Sequence, residues 1–93
     1  NKIIGAFQNI LLPAAEKFKP NLVIISAGFD SRMDDKLGCF KVTDKGFQTL
    51  TEISMSIAKE YCGGKLISVL EGGYNFDGNA KASISHIKTL NKF

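Results

Sequence analysis

The chain has 93 residues, 44% of them apolar, with 12 Lys and Arg against 9 Asp and Glu for a net charge of +3. Its lysines are scattered rather than blocked, which argues against a nucleic-acid or anionic-membrane surface, and no apolar run approaches the ~20 residues of a membrane span. No secretory signal pattern opens the chain. Two cysteines, Cys39 and Cys62, without metal-ligand spacing and too few for a disulfide framework, point to a reducing, intracellular compartment, cytoplasmic or nuclear.

The sequence starts at Asn1 rather than Met, directly in a helical pattern, so the expectation is a piece of a longer protein, with residues 1–93 as one unit. Ile3, Phe7, Ile10, Leu11, Ala14 and Phe18 recur at helical spacing. Pro13 should kink or divide that helix, and Lys19-Pro20 should end it, because the residue before proline avoids helical dihedrals. Residues 22–26 are an unbroken apolar run that predicts a strand covered on both faces. Residues 27–42 read as irregular. Thr43 is a candidate N-cap for a second helix, with Asp44 favourable at its positive end, and Phe47, Leu50, Ile53, Ile57 and Tyr61 form its inner stripe. Gly63-Gly64 offers the left-handed residue that closes a helix. Residues 65–70 predict a second strand, Asn75 to Gly78 a turn, and residues 79–91 a third helix with Ala80, Ile84, Ile87 and Leu90 inward.

The order α-β-α-β-α gives a right-handed βαβ unit with parallel strands. Two parallel strands need cover on their faces and edges, so the expected setting is a larger doubly wound sheet. With nothing upstream to cover them, Val23, Ile25, Ile67 and Val69 would favour self-association.

Two runs place chemically capable side chains just past the strand ends, where ligands bind in such sheets. Ser26-Ala27-Gly28-Phe29-Asp30 ends in a carboxylate, a good zinc ligand at about 2.0–2.2 Å. Taken alone, such an aspartate is more often an N-cap or loop hydrogen-bonder. Asp34 and Asp35 follow and could join it on a hard cation or serve only turn chemistry. Leu70-Glu71-Gly72-Gly73-Tyr74 ends in a phenol, which can donate to an oxygen gaining charge in a transition state or sit at a core margin. His86, the only histidine, reads as a partly exposed structural residue on the last helix, away from both strand ends.

Taken in order, three blocks resemble the C-terminal part of the histone deacetylase and acetylpolyamine amidohydrolase superfamily. They are residues 20–30, Asp34-Asp35-Lys36-Leu37-Gly38, and Leu70 to Asn75. The resemblance spans almost the whole chain, and the wording is similar to the class II and bacterial deacetylase-like branch. It implies an α/β, arginase-like fold with a central parallel sheet. It implies zinc-dependent hydrolysis of N-acetyl-lysine or an acetylated polyamine to acetate and free amine. It makes Asp30 a zinc ligand, Tyr74 the donor to the acetyl oxyanion, and Leu37, Gly72 and Gly73 residues lining the substrate channel. The family's other ligands and its catalytic histidine pair lie upstream in full-length enzymes and have no counterpart here. The expectation is therefore an incomplete zinc site and an inactive isolated chain. Alternatives are a non-catalytic, self-associating or complementing fragment, and a magnesium-dependent phosphotransfer domain, which lacks any phosphate-loop motif.

Overall fold

A computed structural model of the chain describes residues 2–29, 42–74 and 76–92. The first helix is divided as its proline requires. Helix α1 (Lys2–Ala6) runs into a π-helical turn (Phe7–Leu11), followed by α2 (Leu12–Phe18), with Pro13 in the first turn of α2. A wide turn just before a proline removes the clash the ring would meet in a continuous α-helix. Helix α2 ends at Lys19, a left-handed residue at φ 53°, whose N–H donates to Ala15 O at 2.8 Å.

Strands β1 (Val23–Ala27) and β2 (Leu66–Leu70) pair in parallel, with Val23 opposite Leu66 and Ala27 opposite Leu70. Helix α3 (Asp44–Tyr61) makes the crossover between them. Its start is the expected one: the Thr43 side chain accepts a hydrogen bond from Gly46 N–H at 3.0 Å. At its end the Ala58 carbonyl accepts from both Cys62 and Gly64 N–H at 2.9 Å, with Gly63 at φ 61° and Gly64 at φ 83°. Helix α4 (Phe76–Leu90) packs against α3, as do the N-terminal helical segments.

This arrangement corrects three expectations. The strands are not covered on both faces. The register puts Ile24 beside Ile67, on the face away from α3, where they are 63% and 50% exposed, and Val69 joins them. Val23 and Ile25 lie on the other, helix-covered face, so the four residues expected to share a bare surface divide between two faces. In α4 most of the expected inward stripe points outward: Ala80 is exposed, Ile84 and Ile87 are 52% and 56% exposed, and only Leu90 is half-buried. The buried stripe is Gly78, Ala82, His86 and Thr89: Gly78 and Ala82 are small, His86 bonds Thr51 on α3, and Thr89 Oγ–H donates to Ser85 O within α4. Next to this stripe, half-buried Ser85 donates from Oγ–H to the Asp44 carbonyl of α3 at 3.1 Å. In α3, Thr51, Met55 and Ala58 are buried beside the expected Phe47 and Ile57, while Leu50 and Ile53 are half-buried.

The tightest core lies directly beneath the strand ends. Ala27, Phe29, Val42, Phe47 and Ala82 form it, with Ile3, Ile25 and Leu50 packed against it.

Candidate functional site

The two strand-end runs lie side by side because the hydrogen-bond ladder continues past the sheet. Glu71 N–H donates to Ala27 O at 3.0 Å, and Phe29 N–H donates to Gly72 O at 2.8 Å. Strand β1 ends in a tight turn in which Gly28 N–H donates to Ser26 O at 3.1 Å. The Phe29 side chain then drops into the core, with its ring edge-on to Phe47 at 5.2 Å.

On the β2 side, Gly72 contributes its carbonyl, which any residue could supply. Gly73 is different. Its φ of 146° strains any L side chain, and a Cβ there would lie 2.8 Å from Cγ and Oδ1 of Asn79. Asn79 Nδ2 in turn donates to Gly73 O at 3.4 Å, which ties the turn to the first turns of α4. Tyr74 follows at the rim and is 49% exposed.

Gly72 is thus paired with Phe29, one residue short of Asp30, and Gly73 and Tyr74 follow it in sequence. Asp30, Asp34, Asp35, Leu37 and Cys39 lie outside the described residues. Among the described residues, no three His, Cys, Asp or Glu side chains come together as they would around a metal ion. The described residues on their own therefore do not fit a zinc ion. The 34–38 block and a ligand role for Asp30 have no geometry here.

His86 corrects another expectation. It is 7% exposed and sits under the strand ends. Thr51 Oγ–H donates to Phe47 O at 2.7 Å, so Thr51 must accept from His86 Nδ1–H at 2.8 Å. Ser68 Oγ–H then donates to Nε2 at 2.7 Å. Burial lowers the imidazole pKa from its ordinary value, favouring this neutral form. A neutral ring with both nitrogens engaged is not placed to act as a general base. Its outer edge meets Phe29 with centroids 5.9 Å apart.

Two cavities reach the strand ends, of about 180 and 340 Å³, and Ala27, Phe29 and His86 line both. A larger groove of about 530 Å³, lined by Phe7, Leu11, Phe18, Leu22 and Ile24 among others, runs between the N-terminal helices and β1. It involves neither strand-end run beyond Ser26. Cys62 is a buried free thiol donating to Pro20 O at 3.1 Å. No helix among the described residues is long and apolar enough to cross a membrane.

Sequence reasoning missed Asn79, Thr51 and Ser68. The stripe 78, 82, 86 and 89 at helical spacing was a signal for the inward placement of His86, but nothing local pointed to its partners Thr51 and Ser68.

Residues 1–90 match the model of the histone deacetylase domain. The chain is similar to Histone deacetylase 15 of Arabidopsis thaliana, at 44% identity over 87 residues, 94% of this chain and 15% of that protein. It is also similar to Histone deacetylase 6 of Caenorhabditis elegans, at 51% identity over 75 residues, 81% of this chain and 7% of that one. Among solved structures, the histone deacetylase Clr3 superposes with a TM-score of 0.87 at 34% identity, over 97% of this chain and 14% of that chain. The chain thus spans a small part of each protein it matches, and its parallel strands and helices are a piece of their arginase-like α/β fold.

Proposed function

This chain belongs to the histone deacetylase domain family, and from that premise we propose that it forms part of a site hydrolysing N-acetyl-lysine or acetylated polyamines to acetate and free amine. The observation carrying this reading is the backbone pairing of the two strand-end runs, Phe29 N–H to Gly72 O at 2.8 Å, two residues before Tyr74. Tyr74 O–H would donate to the acetyl carbonyl oxygen as it gains negative charge, and Gly72-Gly73 would leave room for the substrate's extended chain. Leu37 is proposed to line the same channel. Asp30 is proposed as one ligand of a zinc ion, whose remaining ligands the described residues do not supply. Bound zinc would supply electrophilic assistance at the same oxygen.

The isolated chain is proposed to be inactive, since its one histidine is buried and doubly hydrogen-bonded. A nuclear or cytoplasmic location is proposed with this reading. A second reading, a self-associating non-catalytic chain, is favoured by the bare apolar face of Ile24, Ile67 and Val69. Light scattering decides it: a monomer at all concentrations rules it out.

The test of the first reading is a chimera in which residues 1–90 replace the matching segment of Histone deacetylase 15. The expected result is acetate release from an acetyl-lysine peptide, reduced about 10²–10³-fold by Tyr74→Phe, as for loss of an oxyanion donor. An unimpaired Tyr74→Phe chimera, or a folded chimera without activity, would overturn it.

A further inference from the structure

His86 is not explained by the reaction just described, yet it joins three elements at the place where that reaction would be built. It projects from α4, donates from Nδ1 to Thr51 on α3, and accepts at Nε2 from Ser68 on β2. Both bonds are short, and no buried side-chain nitrogen or oxygen among the described residues is left without a partner. The remaining edge of the ring meets Phe29, whose other aromatic neighbour is Phe47. Phe29 is in turn the residue whose N–H bonds Gly72 O, the link that aligns the two runs.

We propose that His86 is a positioning residue for this site: it braces the Phe29 ring from below and so holds residues 26–29 against residues 70–74. This rests on the deacetylase reading for its functional consequence, but the bracing itself is a property of the chain. Three features make the ring suited to the task. Its two hydrogen bonds point in opposite directions, so rotation breaks at least one of them. Its partners sit on the crossover helix and on β2, which fixes α4 against both. Its contact with Phe29 is edge-on, a geometry with a directional preference that an aliphatic side chain would lack. An aliphatic residue at 86 would also leave Ser68 Oγ to find another partner.

Two measurements on three variants test this. The first is amide exchange at Phe29 relative to Ala58 in α3, made on the 93-residue chain and on the chimera. The second is kcat and KM of the chimera. His86→Phe keeps a planar aromatic ring, though a larger one, and removes both hydrogen bonds. The expected result is Phe29 exchange about tenfold faster relative to Ala58, and kcat about tenfold lower with KM within about twofold. His86→Gln can donate from its amide nitrogen and accept at its oxygen but has no ring to meet Phe29, so it should restore only part of both. Ser68→Ala removes one partner and should give a smaller change in the same direction. A merely structural role would speed Phe29 and Ala58 exchange by the same factor and leave kcat per folded molecule unchanged; either result overturns the proposal. If the unsubstituted chimera is inactive, or Tyr74→Phe has no effect, the deacetylase reading fails while the exchange ratio still decides the role of His86.

Discussion

Replacing Gly73 by alanine tests the turn that carries Tyr74. At φ 146° alanine adopts a conformation open essentially to glycine alone, a strain of about 1–3 kcal/mol. The added Cβ would also lie 2.8 Å from the Asn79 amide, so Asn79 must move and give up its bond to Gly73 O and its bond from Ser83 Oγ–H, both at 3.4 Å. At that length they belong at the weak end of the scale, about 0.5 kcal/mol each. The total is about 2–4 kcal/mol, a large share of an ordinary domain's ~5–15 kcal/mol. With a urea slope of about 1–2 kcal/mol/M, the midpoint should fall by about 1–4 M. A double-mutant cycle separates the two causes. In an Asn79→Ala background the steric part disappears and the dihedral part remains, so Gly73→Ala should still cost about 1–3 kcal/mol there. A Gly73→Ala chain with an unchanged midpoint would refute the geometry of the turn. Full recovery in the Asn79→Ala background would refute the dihedral strain.

Three further outcomes follow from local geometry. Thr43→Ala removes the acceptor for Gly46 N–H and should cost about 1 kcal/mol in urea unfolding, whereas Thr43→Ser should be near neutral. Lys19→Gly relieves a left-handed lysine and should stabilise by about 0.5–1 kcal/mol, visible as a raised thermal midpoint; a loss of stability would contradict the φ of 53°. His86, whose pKa burial lowers in the folded chain, takes up its proton more readily when unfolded. Its contribution is therefore present above the unfolded value of about 6.5 and is lost as pH falls through that value towards the lower folded one. Urea midpoints should drop as pH falls through about 6.5, and the drop should shrink in His86→Phe.

Local signals in the sequence carried the element order because they are chemically unambiguous. Thr43 caps α3, the 63–64 glycines close it, Pro13 divides the first helix, and the Lys19-Pro20 pair ends it. The side-by-side placement of the strand-end runs also followed, since a βαβ crossover makes β1 and β2 parallel neighbours with their carboxyl ends together. The interior of α4 did not. Its sequence holds two stripes, one apolar at 80, 84 and 87 and one small and polar at 78, 82, 86 and 89. Apolar periodicity selects the first, but which stripe faces inward depends on what α3 and β2 offer. Thr51 and Ser68 offer hydrogen bonds, 35 and 18 residues away from His86 in sequence, and no periodicity within α4 encodes them.

The same reasoning explains why α4 and the strands mislead in one direction. Ile24, Ile67 and Val69 on the bare sheet face, and Ile84 and Ile87 on the outer face of α4, are apolar residues at positions this chain leaves exposed. An apolar side chain left in water forfeits about 1.5–3 kcal/mol of burial, so five together are a surface that stabilises only when something covers it. A small polar stripe has no such requirement: it is satisfied by contacts within the 93 residues. The inward choice in α4 is therefore made by groups whose partners are among the described residues, and the outward one by groups left exposed among them. That division falls where the core lies, beneath residues 26–29 and 70–74. The part of the fold that presents Tyr74 is thus the part the chain completes by itself, and covering the bare face should leave the Phe29–Gly72 pairing unchanged.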